Sequence, residues 1–289
     1  MNELDKHRIA SSFGRAAQSY ERNALLQKTV AERLLSRLGY LTIKPDRIAD
    51  IGSGTGSTSR SLASRYKSAR IVQIDLSIPM LLQSRMESRR FFSRQYYCCA
   101  DAENLPIAGG SIDMVFSSLT YQWCNDLDRA FAEAKRALRP DGLFIFATLG
   151  PGTLKEMRAS WAVVDDDTHV NTFFDMHDIG DALVRTGLES VVMEAETITM
   201  NYPDCFSLMR DIKIVGAHNV NRSRPRTLTG KHKLQQMISN YEQFRRDNVL
   251  PATYEVVYGH AWVPAQSRPQ KQNTVAYIPL ESVRTRGRK

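Results

Sequence analysis

The sequence predicts an α/β protein: a mainly parallel sheet with helices on both faces. Three observations carry that prediction. Between Arg47 and Leu149, short apolar strands alternate with amphipathic helical stretches, the pattern of strands buried between two helical layers. The first strand runs into Gly52-Ser53-Gly54-Thr55-Gly56 and then a helix. Glycines at alternate positions let the backbone turn tightly and meet a ligand closely, and the helix start offers free N–H groups. Finally, 289 residues, 42% hydrophobic and 24% charged, suffice for a large core, while no apolar run approaches the roughly 20 residues that span a bilayer.

The elements follow in order. Residues 3–20 read as a helix, because Ile9, Phe13, Ala16, Ala17 and Tyr20 recur at helical spacing. A second helix covers 23–38 and ends near Gly39. Neither belongs to a minimal nucleotide-binding fold, so 1–45 is read as an N-terminal helical cover. Strands are expected at 47–51, 70–75, 95–100, 112–117 and 143–149, with helices at 57–66, from Pro79, and at 126–138. Pro140-Asp141-Gly142 is the turn before the fifth strand. Helices at 152–160 and 177–186 and a β-rich stretch from Leu188 to Met200 complete a core of 46–200. A polar, basic, mostly helical insertion fills 201–252, where it could stand over the carboxyl ends of the parallel strands. A last core strand takes 253–263. The tail, 264–289, is rich in Pro, Gln, Ser and Arg and is expected to be disordered.

Charge and cysteines narrow the class. The net charge is +8, but Lys/Arg and Asp/Glu number 24 and 26 over residues 1–204, 9 and 4 over 205–267, and 6 and 1 over 268–289. The body is slightly acidic and the excess of base is late, which argues against a nucleic-acid-binding face. Met1 to Arg8 is charged and lacks a signal-peptide core, so a cytoplasmic protein without a membrane partner is expected. Cys98, Cys99, Cys124 and Cys205 form no CxxC pair; they read as reduced core or near-site residues, and no metal is expected.

The chemistry collects at strand ends. The turn is GxGxG rather than the GxGxxG of dinucleotide enzymes, since Ser57 fills the last place. Asp75 ends the second strand. A carboxylate there can accept both hydroxyls of a ribose, each bond contributing about 1.5–3 kcal/mol, or merely cap the next helix. After strand three, Ala100-Asp101-Ala102-Glu103-Asn104-Leu105-Pro106 offers an acceptor for the adenine amine, with Ala102 and Leu105 against the ring. After strand four, Leu119 to Trp123 would line the wall between cofactor and substrate, although Tyr121 and Trp123 equally suit core packing.

In that order these signals make residues 47–149 resemble a class I S-adenosylmethionine-dependent methyltransferase. The resemblance implies a Rossmann-like, seven-stranded, mainly parallel sheet. It implies that Asp50, Gly52, Ser53, Gly54 and Gly56 hold the methionine end, Asp75 and Leu76 the ribose, and Asp101 and Ala102 the adenine, with Leu119 beside them. Further stretches are similar to the biotin-synthesis malonyl-[acyl-carrier protein] O-methyltransferase (BioC) family: Phe13-Gly14-Arg15-Ala16-Ala17-Gln18-Ser19-Tyr20, Leu119 to Leu127, Phe146 to Glu156, His169 to Phe173, Leu208 to Asn219 and Thr253 to Gly259. Ser53 and Ser118 depart from the family's more usual cysteine and asparagine. The family resemblance implies methylation of the free carboxyl of a malonyl thioester on acyl carrier protein or coenzyme A.

A carboxylic acid is already ionised near pH 7, so a general base would add little. Charge is lost as sulfonium and carboxylate combine, so a closed, dry site favours reaction. Neutral donors are expected near the methyl, or an arginine on the non-reacting oxygen, because a cation on the reacting oxygen would stabilise the ground state more. The candidates are Tyr20, Gln122, His169, Asn171, Arg210 and His218, with Arg15 and Tyr20 closing over the cofactor. The acidic carrier would dock on Arg222, Arg224, Arg226, Lys231 and Lys233, and the enzyme is expected to be a monomer. Competing readings are a methyltransferase for a small or lipid-like acceptor, a non-catalytic cofactor-binding regulator, and an RNA methyltransferase. The last would want an NPPY-like tetrad where Ser117-Ser118-Leu119-Thr120 stands.

Overall fold

One sheet of seven strands organises the chain: β1 (Arg47–Ile51), β2 (Arg70–Asp75), β3 (Gln95–Cys99), β4 (Ile112–Ser118), β5 (Leu138–Leu149), β6 (Glu189–Tyr202) and β7 (Leu250–Trp262). Their order is β3-β2-β1-β4-β5-β7-β6. The first five strands of the chain are parallel, and β7 runs antiparallel between β5 and β6. The computed structural model describes residues 4–88, 94–217 and 230–265. His218, Arg222, Arg224 and Arg226 lie outside the described residues, as does the tail from 266 onward.

The helices are α1 (Lys6–Ala16), α2 (Tyr20–Asn23), α3 (Leu25–Arg37), α4 (Ser57–Arg65), α5 (Ile78–Glu87), α6 (Leu127–Ala137), α7 (Lys155–Ala162), α8 (Met176–Arg185), α9 (Cys205–Ile214) and α10 (Lys231–Tyr241). Side chains alternate across β5. Leu143, Ile145 and Ala147 join Val30 and Leu34 of α3 on one face, while Phe144 and Phe146 meet Phe131 of α6 and Ile179 and Leu183 of α8 on the other. Each fully buried Leu or Phe there contributes roughly 1.5–3 kcal/mol. α6 starts where the Asp126 carboxylate accepts the Arg129 amide. Order along the sheet reverses between β1 and β4, so the ligand crevice of such a sheet falls at their carboxyl ends, where Gly52 and Leu119 follow.

Three boundaries differ from the sequence reading. The expected helix at 3–20 is two helices, because the Ser19 hydroxyl donates to the Ala16 carbonyl and competes with helix continuation. β5 begins at Leu138 rather than Leu143. The Pro140-Asp141-Gly142 turn is a bulge within it, where Asp141 takes φ +58° and Ile112 and Met114 of β4 pair with Leu138 and Leu143. β6 runs on to Tyr202 and β7 starts at Leu250, so the late segment is 203–249 rather than 201–252; among its described residues are α9 and α10, and the buried Cys205 and Leu208 of α9 share a core cluster with Met237 and Tyr241 of α10.

Candidate active site

The principal cavity opens over the carboxyl ends of β1, β2 and β4. Its wall includes Gly52, Gly54, Asp75, Leu76, Asp101, Ala102, Leu119, Gln122 and Asn171, with Tyr20 from α2.

The three glycines of the turn do different work. All have positive φ, +71°, +53° and +77°. A Cβ on Gly52 would sit 1.9 Å from Thr120 Oγ1, and one on Gly56 2.0 Å from Ser84 Oγ; one on Gly54 would meet only Tyr20, at 4.0 Å. Gly52 and Gly56 are therefore small to let neighbouring elements close in. Gly54 alone leaves its backbone bare towards the cavity.

Asp75 locks this turn to β2. Its carboxylate accepts the Gly54 amide at 2.9 Å and the Ser77 amide at 2.8 Å. Burial pushes the carboxyl up from its ordinary range, and those two amides pull it back. One oxygen does cap the start of α5, as the plainer reading allowed, but the group also lines the cavity. Asp50, Ser53 and Gly56 differ from the sequence reading in that they are not on the cavity wall: Asp50 and Ser53 are buried, and Gly56 faces Ser84. Asp50 is buried and accepts the Ser59 hydroxyl at 2.5 Å.

The cover closes on the adenine side. Lys6 Nζ reaches Asp101 at 3.0 Å and Glu103 at 2.8 Å, and the Leu4 amide donates to Asn125 Oδ1 at 2.7 Å. Phe13 stacks edge-on against Trp123, with centroids 5.5 Å apart, and against Tyr20 at 6.4 Å. Burial and the Asp75 charge push the Tyr20 phenol far up, so it remains a donor at neutral pH. Tyr20→Phe is expected to lower turnover about tenfold with an unchanged melting temperature. An unaltered turnover number would remove the hydroxyl from the site.

At the other end, Leu119 and Leu154 both take φ near +55° and both line the cavity. Left-handed leucines cost of order 1–3 kcal/mol each and persist only where their surroundings hold them. Gln122 Nε2 donates to the Leu119 carbonyl at 2.7 Å, and the Leu154 amide donates to the Thr253 carbonyl at 2.6 Å. Gln122 Oε1 also accepts the Thr148 hydroxyl at 3.2 Å, which leaves one N–H of its amide for an acceptor. Asn171 is buried with Oδ1 unpartnered. Beyond it, Tyr202 donates to Asp211 at 2.7 Å, and Phe173, Ile212, Val215 and Tyr254 complete an apolar chamber.

Three candidates are not on the cavity wall. The Arg15 guanidinium turns back along α1 to the Ser11 and Ser12 hydroxyls at 2.6 and 3.1 Å. Arg210 is exposed on the outer side of α9. His169 stacks on Trp161 at 3.6 Å and binds Asp165 at 2.7 Å. Lys233 also binds Asp165, at 2.8 Å. Burial pushes that carboxyl up, but Lys233 and His169 outweigh it and hold it at about 2. The Asp165, Asp167 and His169 ligand atoms lie within 4.8 Å of one another, but Asp165 is already neutralised. Lys233 is thus a compensated charge rather than a free docking contact, while Lys231 stays exposed.

Sequence reasoning missed Lys6, the left-handed leucines, the Tyr202–Asp211 pair and Arg158. Arg158 donates to the carbonyls of Pro151, Thr153 and Asn171 at 2.8, 3.3 and 3.4 Å, bracing two segments that face the cavity. Arg158 lies two residues past the Phe146-to-Glu156 stretch that carries the family resemblance, so no signal in the sequence pointed to it.

The sheet order, the glycine turn and the strand-end acids together define a class I S-adenosylmethionine-dependent methyltransferase. Residues 49–146 match the methyltransferase domain family. The YcgJ protein of Bacillus subtilis has the same fold, with TM-score 0.56 and 14% identity over 84% of this chain and 97% of its own. Phosphoethanolamine N-methyltransferase 2 of Haemonchus contortus, solved with S-adenosyl-L-methionine, gives TM-score 0.52 and 21% identity over 81% of this chain and 52% of its own. Over 98% of both chains, the sequence is 47% identical to the malonyl-[acyl-carrier protein] O-methyltransferase of Methylovorus sp. strain MP688. The chain belongs to the malonyl-[acyl-carrier protein] O-methyltransferase family. No helix among the described residues is long and apolar enough to cross a membrane.

Proposed function

We propose that this enzyme transfers a methyl group from S-adenosylmethionine to the free carboxylate of a malonyl thioester carried by acyl carrier protein. The observation that carries the reading is a single cavity with two chemically distinct ends. One end has a bare glycine backbone and strand-end acids. The other is largely apolar, with the amides of Gln122 and Asn171 and the Tyr202–Asp211 pair as its polar groups.

The residues fit the cofactor. Gly54 is the one glycine of the turn whose Cβ position is open, and Ser77, whose buried Oγ has no partner, lines the same cavity. Gly52, Gly54 and Tyr20 would hold the methionine end, Asp75 and Leu76 the ribose, and Asp101 and Ala102 the adenine. When bound, the cofactor supplies an electrophilic methyl. The spare N–H of Gln122, and Asn171 through its Nδ2 rather than its unpartnered Oδ1, orient the malonyl carboxylate as neutral donors, which hold an anion without neutralising the oxygen that must react. Phe13, Trp123 and Leu119 exclude water, so the charges that combine in the transition state are poorly solvated beforehand. Fixing the two reactants in line can supply roughly 7–11 kcal/mol of the barrier.

The test is to incubate the enzyme with methyl-labelled S-adenosylmethionine and, separately, malonyl-acyl carrier protein, malonyl-coenzyme A, acetyl-acyl carrier protein and RNA. Label on the malonyl carriers, removable by mild ester hydrolysis, is the expected result. Label on RNA, or on acetyl as readily as malonyl carrier, overturns it.

A further inference from the structure

Arg210, which is off the cavity wall, points to a surface. α9 presents one stripe outward at helical spacing: Phe206, Arg210 and Lys213, all exposed, with Phe206 54% accessible. Its opposite side, Asp211, Ile212 and Val215, lines the cavity. The helix is therefore a roof one residue thick between the acceptor chamber and solvent.

That roof rests on the cover. α9 packs against α2, and at its end Gly216 meets α1 so closely that a Cβ would lie 3.1 Å from the Ser12 carbonyl carbon. The exposed residues on the other side of this seam are Arg22 of α2 and Leu25 and Lys28 of α3. Arg22, Lys28, Arg210 and Lys213 have no ion-pair partner among the described residues, whereas Lys233 of α10 does. Of the nearby acids, Glu21 is paired with Arg60 and bonded to Thr55, while Asp204 accepts the Ser207 amide at the start of α9 and its charge acts on Arg210.

We propose that this seam, with Arg22 and Lys28 on one lip and Phe206, Arg210 and Lys213 on the other, is the docking face for the acidic protein that carries the acceptor. Its excess of positive charge complements an acidic carrier, and steers its approach. Two exposed apolar side chains, Leu25 and Phe206, give it contact area that a purely electrostatic phosphate-binding surface does not need. Its position suits the task as well: the cavity directly beneath the α9 side of the seam is lined by Ile212, Val215, Asn171 and Tyr202. The inference rests on the reading above and places a docking face at the rim of the cavity, in addition to Lys231 and the Arg222, Arg224 and Arg226 that the sequence pointed to, the last three outside the described residues.

The test combines Arg22→Glu with Lys213→Glu, two exposed charges that line no part of the cavity. The KM for malonyl-acyl carrier protein should rise about tenfold or more with kcat little changed, and the dependence of that KM on salt should flatten. Methylation of the malonyl thioester of N-acetylcysteamine, which has no protein to dock, should be unaltered. Direct titration of acyl carrier protein onto the enzyme with S-adenosylhomocysteine should show the same loss. Equal loss on both thioesters, or no loss on the carrier, overturns the proposal. So does wild-type enzyme that binds single-stranded RNA as tightly as the carrier. The titration reads docking without catalysis, so failure of the malonyl reading itself would appear separately, as carrier binding without label transfer.

Discussion

Asp75→Ala is expected to weaken binding of S-adenosylmethionine about 100-fold or more, read by calorimetric titration with S-adenosylhomocysteine. The carboxylate has two duties. It accepts the amides of Gly54 and Ser77, which fixes the glycine turn against α5, and its remaining lone pairs face the cavity. Charge-assisted bonds to two ribose hydroxyls, at about 1.5–3 kcal/mol each, account for a loss of at least that size. Asp75→Asn separates the duties. It keeps an acceptor for one amide and loses the charge, so an intermediate loss of about tenfold is expected with a melting temperature near wild type. If both variants bind the cofactor as wild type does, Asp75 is only a helix cap.

How much of this was legible in the sequence depends on the kind of constraint. The alternation that gives β1 to β5, and the acids at the ends of β2 and β3, are local patterns, and they stand where the sequence put them. The glycines were legible as a turn but not as individuals: that Gly52 is small for Thr120 and Gly56 for Ser84 depends on partners 68 and 28 positions away. Arg15 and Arg210 misled for a related reason. Their helices do line the cavity, but a helix has two sides, and one-residue shifts decide which side an arginine takes. Leu119 was legible as a wall residue, but the left-handed backbone of Leu119 and Leu154 was not. Leucine is a poor signal for left-handed backbone, and only the bonds from Gln122 and to Thr253 make the conformation tolerable. Lys6 was hidden because its partners, Asp101 and Glu103, are almost a hundred residues away.

The second large effect concerns Asp50, whose carboxyl is taken out of water with only the Ser59 hydroxyl as a side-chain partner. Burial pushes it up to about 7; the Ser59 bond pulls down and the Asp75 charge adds to the rise. In the unfolded chain an aspartate titrates near 3.9. The folded protein thus holds this proton more tightly, and stability falls as pH rises from about 4 through about 7, then levels. Three units correspond to an upper limit of about 4 kcal/mol. Asp50→Asn should therefore match wild type near pH 4.5 and melt several degrees higher at pH 8, by scanning fluorimetry across that range. An asparagine variant that is less stable at pH 8 would mean that the acid is ionised and held by its bond. An acid that destabilises the free enzyme at working pH calls for a compensating gain. The Gly52–Gly56 turn above it is where the cofactor's cationic methionine end is proposed to lie, and a cation there favours the ionised form. Binding should then release a proton between pH 6 and 7, detected as a dependence of binding enthalpy on buffer ionisation enthalpy. Asp50→Asn should abolish that release and weaken the cofactor, so the variant that folds best should also bind worst, the trade expected where a site is strained for its ligand.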